Sequence, residues 1–96
     1  MKTPARLEDL PNIGPSIAAD LRRLGINTPA QLAKRDPLKT YLALGPTMAQ
    51  RHDPCVLYTL LAAKHFLDTG EARKWWTFTE AGKALLKQRQ NDPKVI

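Results

Sequence analysis

At Thr3-Pro4, Thr28-Pro29, Asp36-Pro37 and Asp53-Pro54 a threonine or an aspartate stands directly before a proline. Each pair marks a helix start. The side-chain oxygen accepts a hydrogen bond from an orphan amide, and proline fills the first helical position, where its missing N–H costs nothing. Gly25, Gly45 and Gly70 stand where C-caps belong. The expected fold is therefore all-α, a compact bundle of five or six short helices. The punctuation predicts helices over 4–10, 15–24, 29–34, 37–44, 54–69 and 78–90.

The stretch 54–69 is apolar nearly all round, at Val56, Leu57, Leu60, Leu61, Ala63 and Leu67. A helix of that kind must be surrounded by others. In 15–24 the apolar face is Ile17, Ala18, Leu21 and Leu24, which leaves Asp20, Arg22 and Arg23 facing outward. Leu32 and Ala33, then Leu38, Tyr41 and Leu42, supply the next two core faces. The run "TFTE" reads as a capping box, with Thr77 at the N-cap and Glu80 three residues on. With 96 residues there is material for one core. The expected organisation is a single domain over 1–90 with a frayed tail at 91–96.

Lys and Arg total 15 against 9 acidic residues, a net charge of +6. The excess sits at the two ends of the chain, and the segment 36–70 is neutral. Such a balance favours a polyanionic partner, nucleic acid first. A single cysteine, Cys55, excludes an internal disulfide. The opening "MKTPARLEDLP" lacks the apolar run of a secretory signal, and no segment reaches the roughly 20 apolar residues of a membrane helix. The expected location is a reducing cytoplasm, without membrane association, as a monomer or weak dimer. The hexamers "IGPSIA" at 13–18 and "LGPTMA" at 44–49 match at an offset of 31. They read either as a pseudo-symmetric pair of helical hairpins or as two helices ended by similar Gly-Pro turns.

The segment "LPNIGPSIAADLRRLGI" places Ile13 between Asn12 and Gly14, with Leu7 and Leu10 before it and Ile17, Ala18 and Leu21 after it. Asn and Gly both tolerate positive φ, so the chain can reverse tightly around one buried isoleucine. Pro15 then fixes φ at the start of the next helix, and the small Ala18 lets two helices approach. This pattern resembles the helix-hairpin-helix motif. The resemblance implies contact with DNA backbone phosphates through turn amides and a helix N-terminus, without sequence preference. On this chain it assigns phosphate binding to Asn12, Ile13, Gly14, Ser16 and Ile17, with Arg6, Arg22 and Arg23 as the nearest cations. The sequence departs from the pattern at Asn12, where the family has glycine. The C-terminal domain of the bacterial RNA polymerase alpha subunit looks similar at that point. It departs again at Ser16 and Ile17, where lysine or threonine is common.

With "DPLKTYLAL" and "RHDPCVLYTLLAAKHF" added, most of 7–76 resembles the small bacterial pathogenicity-locus family, often labelled mitomycin resistance or helix-hairpin-helix proteins. That resemblance implies an all-helical, DNA-associated protein, and the mitomycin label implies a DNA-damage context. The C-terminal domain of the competence regulator TfoX is a more distant likeness.

Other residues carry less. Cys55 and His65 are ten positions apart, about 15 Å along a helix, and Cys55 with His52 supplies two ligands at most. No metal or other cofactor is expected, and Cys55 reads as a buried structural residue, although a place near a helix N-terminus favours a lowered thiol pKa. "KWWTF" reads as core or interface, with base stacking as the alternative. Lys83, Lys87 and Arg89 read as a solvated face, or as an extension of a phosphate track if they lie beside the hairpin. Glu8 and Glu80 read as surface or capping residues, and no catalytic constellation is present. The expected function is a DNA-binding module rather than an enzyme. The rival is a protein-interaction adaptor using the hairpin or the Trp75–Phe78 surface.

Overall fold

The computed structural model describes residues 5–48 and 53–91. Five α-helices follow one another: α1 (Pro15–Arg23), α2 (Pro29–Ala33), α3 (Pro37–Met48), α4 (Pro54–Thr69) and α5 (Thr79–Asn91). Two single 3₁₀ turns, Leu7–Asp9 and Trp75–Phe78, precede α1 and α5. The described chain is all-α.

The proline-led starts hold wherever they fall in described residues. The Thr28 hydroxyl accepts from the Gln31 amide at 3.2 Å, Asp36 from Lys39 at 3.0 Å and Asp53 from Cys55 at 2.7 Å. The Thr3-Pro4 pair lies outside the described residues. Gly25 and Gly70 take φ of 86° and 80°, as residues past a helix end do.

α4 is the hub. It packs against α2, α3, α5 and the Trp75–Phe78 turn, and it buries Val56, Leu57, Tyr58, Thr59, Leu60, Ala62 and Ala63. Leu7, Leu10, Ile13, Ala18 and Leu21 join the same core from the N-terminal side. Lys64, a cation on this apolar helix, donates to the Ala33 carbonyl at 2.7 Å and pairs with Asp68 at 3.1 Å. It thereby closes the C-terminal end of α2, whose last carbonyls have no helical partner.

Several expectations are corrected. The helix expected over 4–10 is only a 3₁₀ turn, Leu7–Asp9, among the described residues, and the Asp9 carboxylate caps its start by accepting from the Ala5 and Arg6 amides at 3.2 and 3.0 Å. Leu10 is extended and ends the turn after three residues. Gly45 is no C-cap, since α3 runs through Gly45 and Pro46 to Met48. An interior proline costs about 3 kcal/mol. Burying Leu44 and Met48 contributes about 1.5–3 kcal/mol each, enough to carry the helix on. Gly14-Pro15 therefore opens a helix while Gly45-Pro46 lies within one, and the two hexamers are not structural equivalents. Thr77 is no N-cap: its hydroxyl donates to the Lys74 carbonyl at 2.7 Å, inside the 3₁₀ turn that leads into α5. Asp20 is buried, at 2% exposure, with Arg23 3.9 Å away. Beyond Asn91, the tail expected at 91–96 lies outside the described residues.

Candidate nucleic-acid interface

The reversal before α1 is built by one residue with positive φ. Asn12 takes φ 68°, while Gly14 takes an ordinary φ of −90° with ψ 178°. Ile13 is buried, and its amide donates to the Leu10 carbonyl at 3.3 Å. That nitrogen is engaged inside the turn, contrary to the expectation that it faces an anion. The Ala18 amide donates to the Gly14 carbonyl at 3.0 Å and closes the first turn of α1. Pro15 has no N–H. The amides of Gly14, Ser16 and Ile17 thus have no acceptor among the described residues, and no side chain caps the helix. Ser16 is exposed, and Gly14 and Ile17 are half-buried.

Gly14 itself is informative. Its backbone conformation suits any residue, and a Cβ there would meet no atom within 4 Å. Folding therefore does not require glycine at this position. Asn12, by contrast, has two structural duties. Besides its φ, its side-chain amide donates to the Arg73 carbonyl at 2.8 Å, fastening the reversal to the segment between α4 and α5.

That link brings in cations from the other end of the chain. A groove of about 300 Å³ beside the reversal is lined by Pro11, Asn12, Ala72, Arg73 and Lys74. Arg73 Nε lies 2.9 Å from Glu71, whose carboxylate also meets His65 Nε2 at 2.6 Å. The His65 hydrogen bond, then the Arg73 charge, hold the Glu71 carboxyl below its ordinary range. The Lys74 ammonium lies 5.8 Å from the centroid of the Trp76 ring.

The three expected arginines are placed differently. Arg22 grips Glu8 with both terminal nitrogens, at 3.0 and 2.7 Å. Arg6 stands 3.6 Å from the same carboxylate. The Arg22 hydrogen bonds hold the Glu8 carboxyl down at about 2 and push the Arg22 guanidinium up. Arg22 and Arg23 are in the last turn of α1, about 12 Å along the axis from Gly14. Their charge is shared with Glu8 and Asp20 rather than gathered at the exposed amides.

Sequence reasoning missed Arg73 and Lys74. The signal available was the run "ARKWW", where two cations precede two tryptophans. Trp75 stacks on Tyr58 with centroids 6.2 Å apart, while Trp76 stands 56% exposed. Lys83 and Lys87 are exposed on α5, which packs mainly on α4 and the Trp75–Phe78 turn. Cys55 is exposed, not buried, and its thiol is pushed up rather than down, first by partial desolvation and then by Asp53. His52 lies outside the described residues, and among the described residues no three His, Cys, Asp or Glu side chains gather around a common point. No described helix is long and apolar enough to cross a membrane.

Fold and surface together define a small all-helical protein with an open helix N-terminus beside a basic groove. The chain belongs to the pathogenicity-locus family, whose profile matches residues 1–84. It is 38% identical over 86 residues to the mitomycin resistance protein McrB of Streptomyces lavendulae, an alignment that covers 90% of this chain and 82% of the relative. No solved structure matches the chain significantly.

Proposed function

We propose that this protein is a non-catalytic module that binds DNA backbone phosphates without sequence preference, in the manner of a helix-hairpin-helix element. A phosphate seats on the amides of Gly14, Ser16 and Ile17, where the α1 dipole adds partial positive charge. The Ser16 hydroxyl is at hand for a further bond. The neighbouring phosphates run toward Lys74, and toward Arg73 in exchange for its Glu71 partner, across the groove, and the net charge of +6 steers the encounter. The observation that carries the reading is Gly14: a glycine with no conformational need for being one, whose missing side chain leaves the amides beside it approachable. The Streptomyces relative is named for mitomycin resistance, and a DNA-damage context is part of this proposal.

The protein-adaptor alternative draws on one observation, the exposure of Trp76. The two readings separate in a fluorescence-anisotropy titration against duplexes of unrelated sequence at several salt concentrations. Two or three phosphate contacts predict that log affinity falls with log salt at a slope of about −2 to −3, equally for every sequence. Absence of binding even at low salt would remove the proposal.

A further inference from the structure

Trp76 is the exposed large hydrophobic side chain of the described surface, at 56%. Its neighbour Trp75 supplies the packing that this corner of the fold needs, lying parallel to the Tyr58 ring at 6.2 Å and 12°. Trp76 touches Trp75 edge-on at 5.7 Å and 83°, leaving much of the ring uncovered. The Lys74 ammonium lies over that ring, 5.8 Å from its centroid. Lys74 also lines the groove together with Pro11 and Asn12. Lys74 thus belongs both to the groove beside the reversal and to the surroundings of the exposed indole.

We infer that Trp76 is a stacking platform for an unpaired nucleobase, so that the nucleic acid taken by this surface is single-stranded or locally unpaired. The inference rests on the phosphate-binding reading above and adds the form of the ligand. The chemistry is that of single-strand sites, where a cationic path follows the backbone and an aromatic face receives bases of any identity. In a duplex the base faces are stacked on one another, so a phosphate track alone meets them from outside and gives the indole nothing to cover it. A side chain flanked by a lysine, on a chain with net charge +6, suits a polyanion with exposed π-faces. Apolar protein surfaces gain nothing from that cation.

The test uses the full chain, fluorescein-labelled oligothymidylate, and a blunt duplex of equal length, with anisotropy at fixed salt. The variants are Trp76→Ala, Trp76→Phe and Gly14→Val, each checked by thermal melting. Trp76 is exposed, so its variants are expected to melt close to the parent. Base–aromatic stacking measured by alanine substitution is worth about 1–3 kcal/mol, which is roughly a 5- to 150-fold loss. The expected result is a fall of at least fivefold for Trp76→Ala on oligothymidylate, partial rescue by Trp76→Phe, and less than a twofold change on the duplex. Gly14→Val should weaken both ligands.

If Trp76→Ala leaves the single strand unaffected while Gly14→Val weakens it, stacking is wrong and the phosphate site stands. If Trp76→Ala weakens duplex and single strand alike, the ring is not reading an unpaired base and the inference again fails. If neither variant changes binding, the phosphate-site reading falls with it. Trp76-dependent self-association in sedimentation would show that a second copy covers the ring, which also overturns the proposal.

Discussion

Replacing Asn12 tests how the reversal is held, because its backbone and its side chain can be perturbed separately. The backbone sits at φ 68°, and the side-chain amide donates to the Arg73 carbonyl at 2.8 Å. Asn12→Gly keeps the left-handed conformation accessible and deletes the hydrogen bond. A neutral hydrogen bond contributes about 0.5–1.5 kcal/mol. Easier access to positive φ offsets part of that loss, so the net expectation is a loss of about 0–1 kcal/mol. Asn12→Ala deletes the same bond and places a residue at positive φ that disfavours it by about 1–2 kcal/mol. The alanine variant should therefore be less stable than the glycine variant by about 1 kcal/mol. For a domain of this size that difference is about 4–8 °C in melting temperature. Urea and thermal denaturation of the three proteins, followed by circular dichroism, measure it. Alanine and glycine variants of equal stability would refute the left-handed turn. A glycine variant well above the parent would refute the contribution of the Arg73 link.

Gly82 lies buried on α5 against the Tyr58 ring, and a Cβ there would run into ring carbons. Gly82→Ala should cost up to about 2 kcal/mol net in urea denaturation, because overpacking of about 1–3 kcal/mol is offset by a gain in helix propensity of about 1 kcal/mol. Lys64→Met should cost about 1–2 kcal/mol by the same assay, since it strips a charged donor from the Ala33 carbonyl. Glu8 has its carboxyl lowered from 4.5 to about 2 by Arg22. A lowered folded-state pKa stabilises the fold above the unfolded value and is lost as protons are taken up. Melting temperature should accordingly fall as pH drops from about 4.5 toward 2, and Glu8→Gln should flatten that slope while lowering stability at neutral pH.

The helix starts were legible because they depend on local chemistry: Thr28, Asp36 and Asp53 cap the same amides that their position before proline implies. The enclosure of α4 was legible from its apolar residues. What failed were inferences from local signals that tertiary packing overrode. Gly45-Pro46 reads as a helix end, yet Leu44 and Met48 are drawn into the core and carry α3 past it. The stretch 4–10 reads as a helix, yet Leu10 leaves the turn extended and joins Leu7 in the core. At the site, the positive φ of Asn12 could be read from residue type, whereas its hydrogen bond to Arg73, 61 residues away, could not. The same distance hid Arg73 and Lys74, whose place beside the reversal is a fact of chain folding. Arg22 was legible as a cation but not as the partner of Glu8, because an ion pair 14 residues apart needs the angle between two helical turns.

The amides beside Gly14 are best challenged by Gly14→Val, assayed together for melting and for anisotropy of a labelled duplex at low salt. Backbone angles and empty space at this position predict a stability within about 1 kcal/mol of the parent. Blocking one amide–phosphate bond should weaken binding about 10- to 150-fold, the equivalent of about 1.5–3 kcal/mol. A folded variant that binds DNA as tightly as the parent would contradict the account.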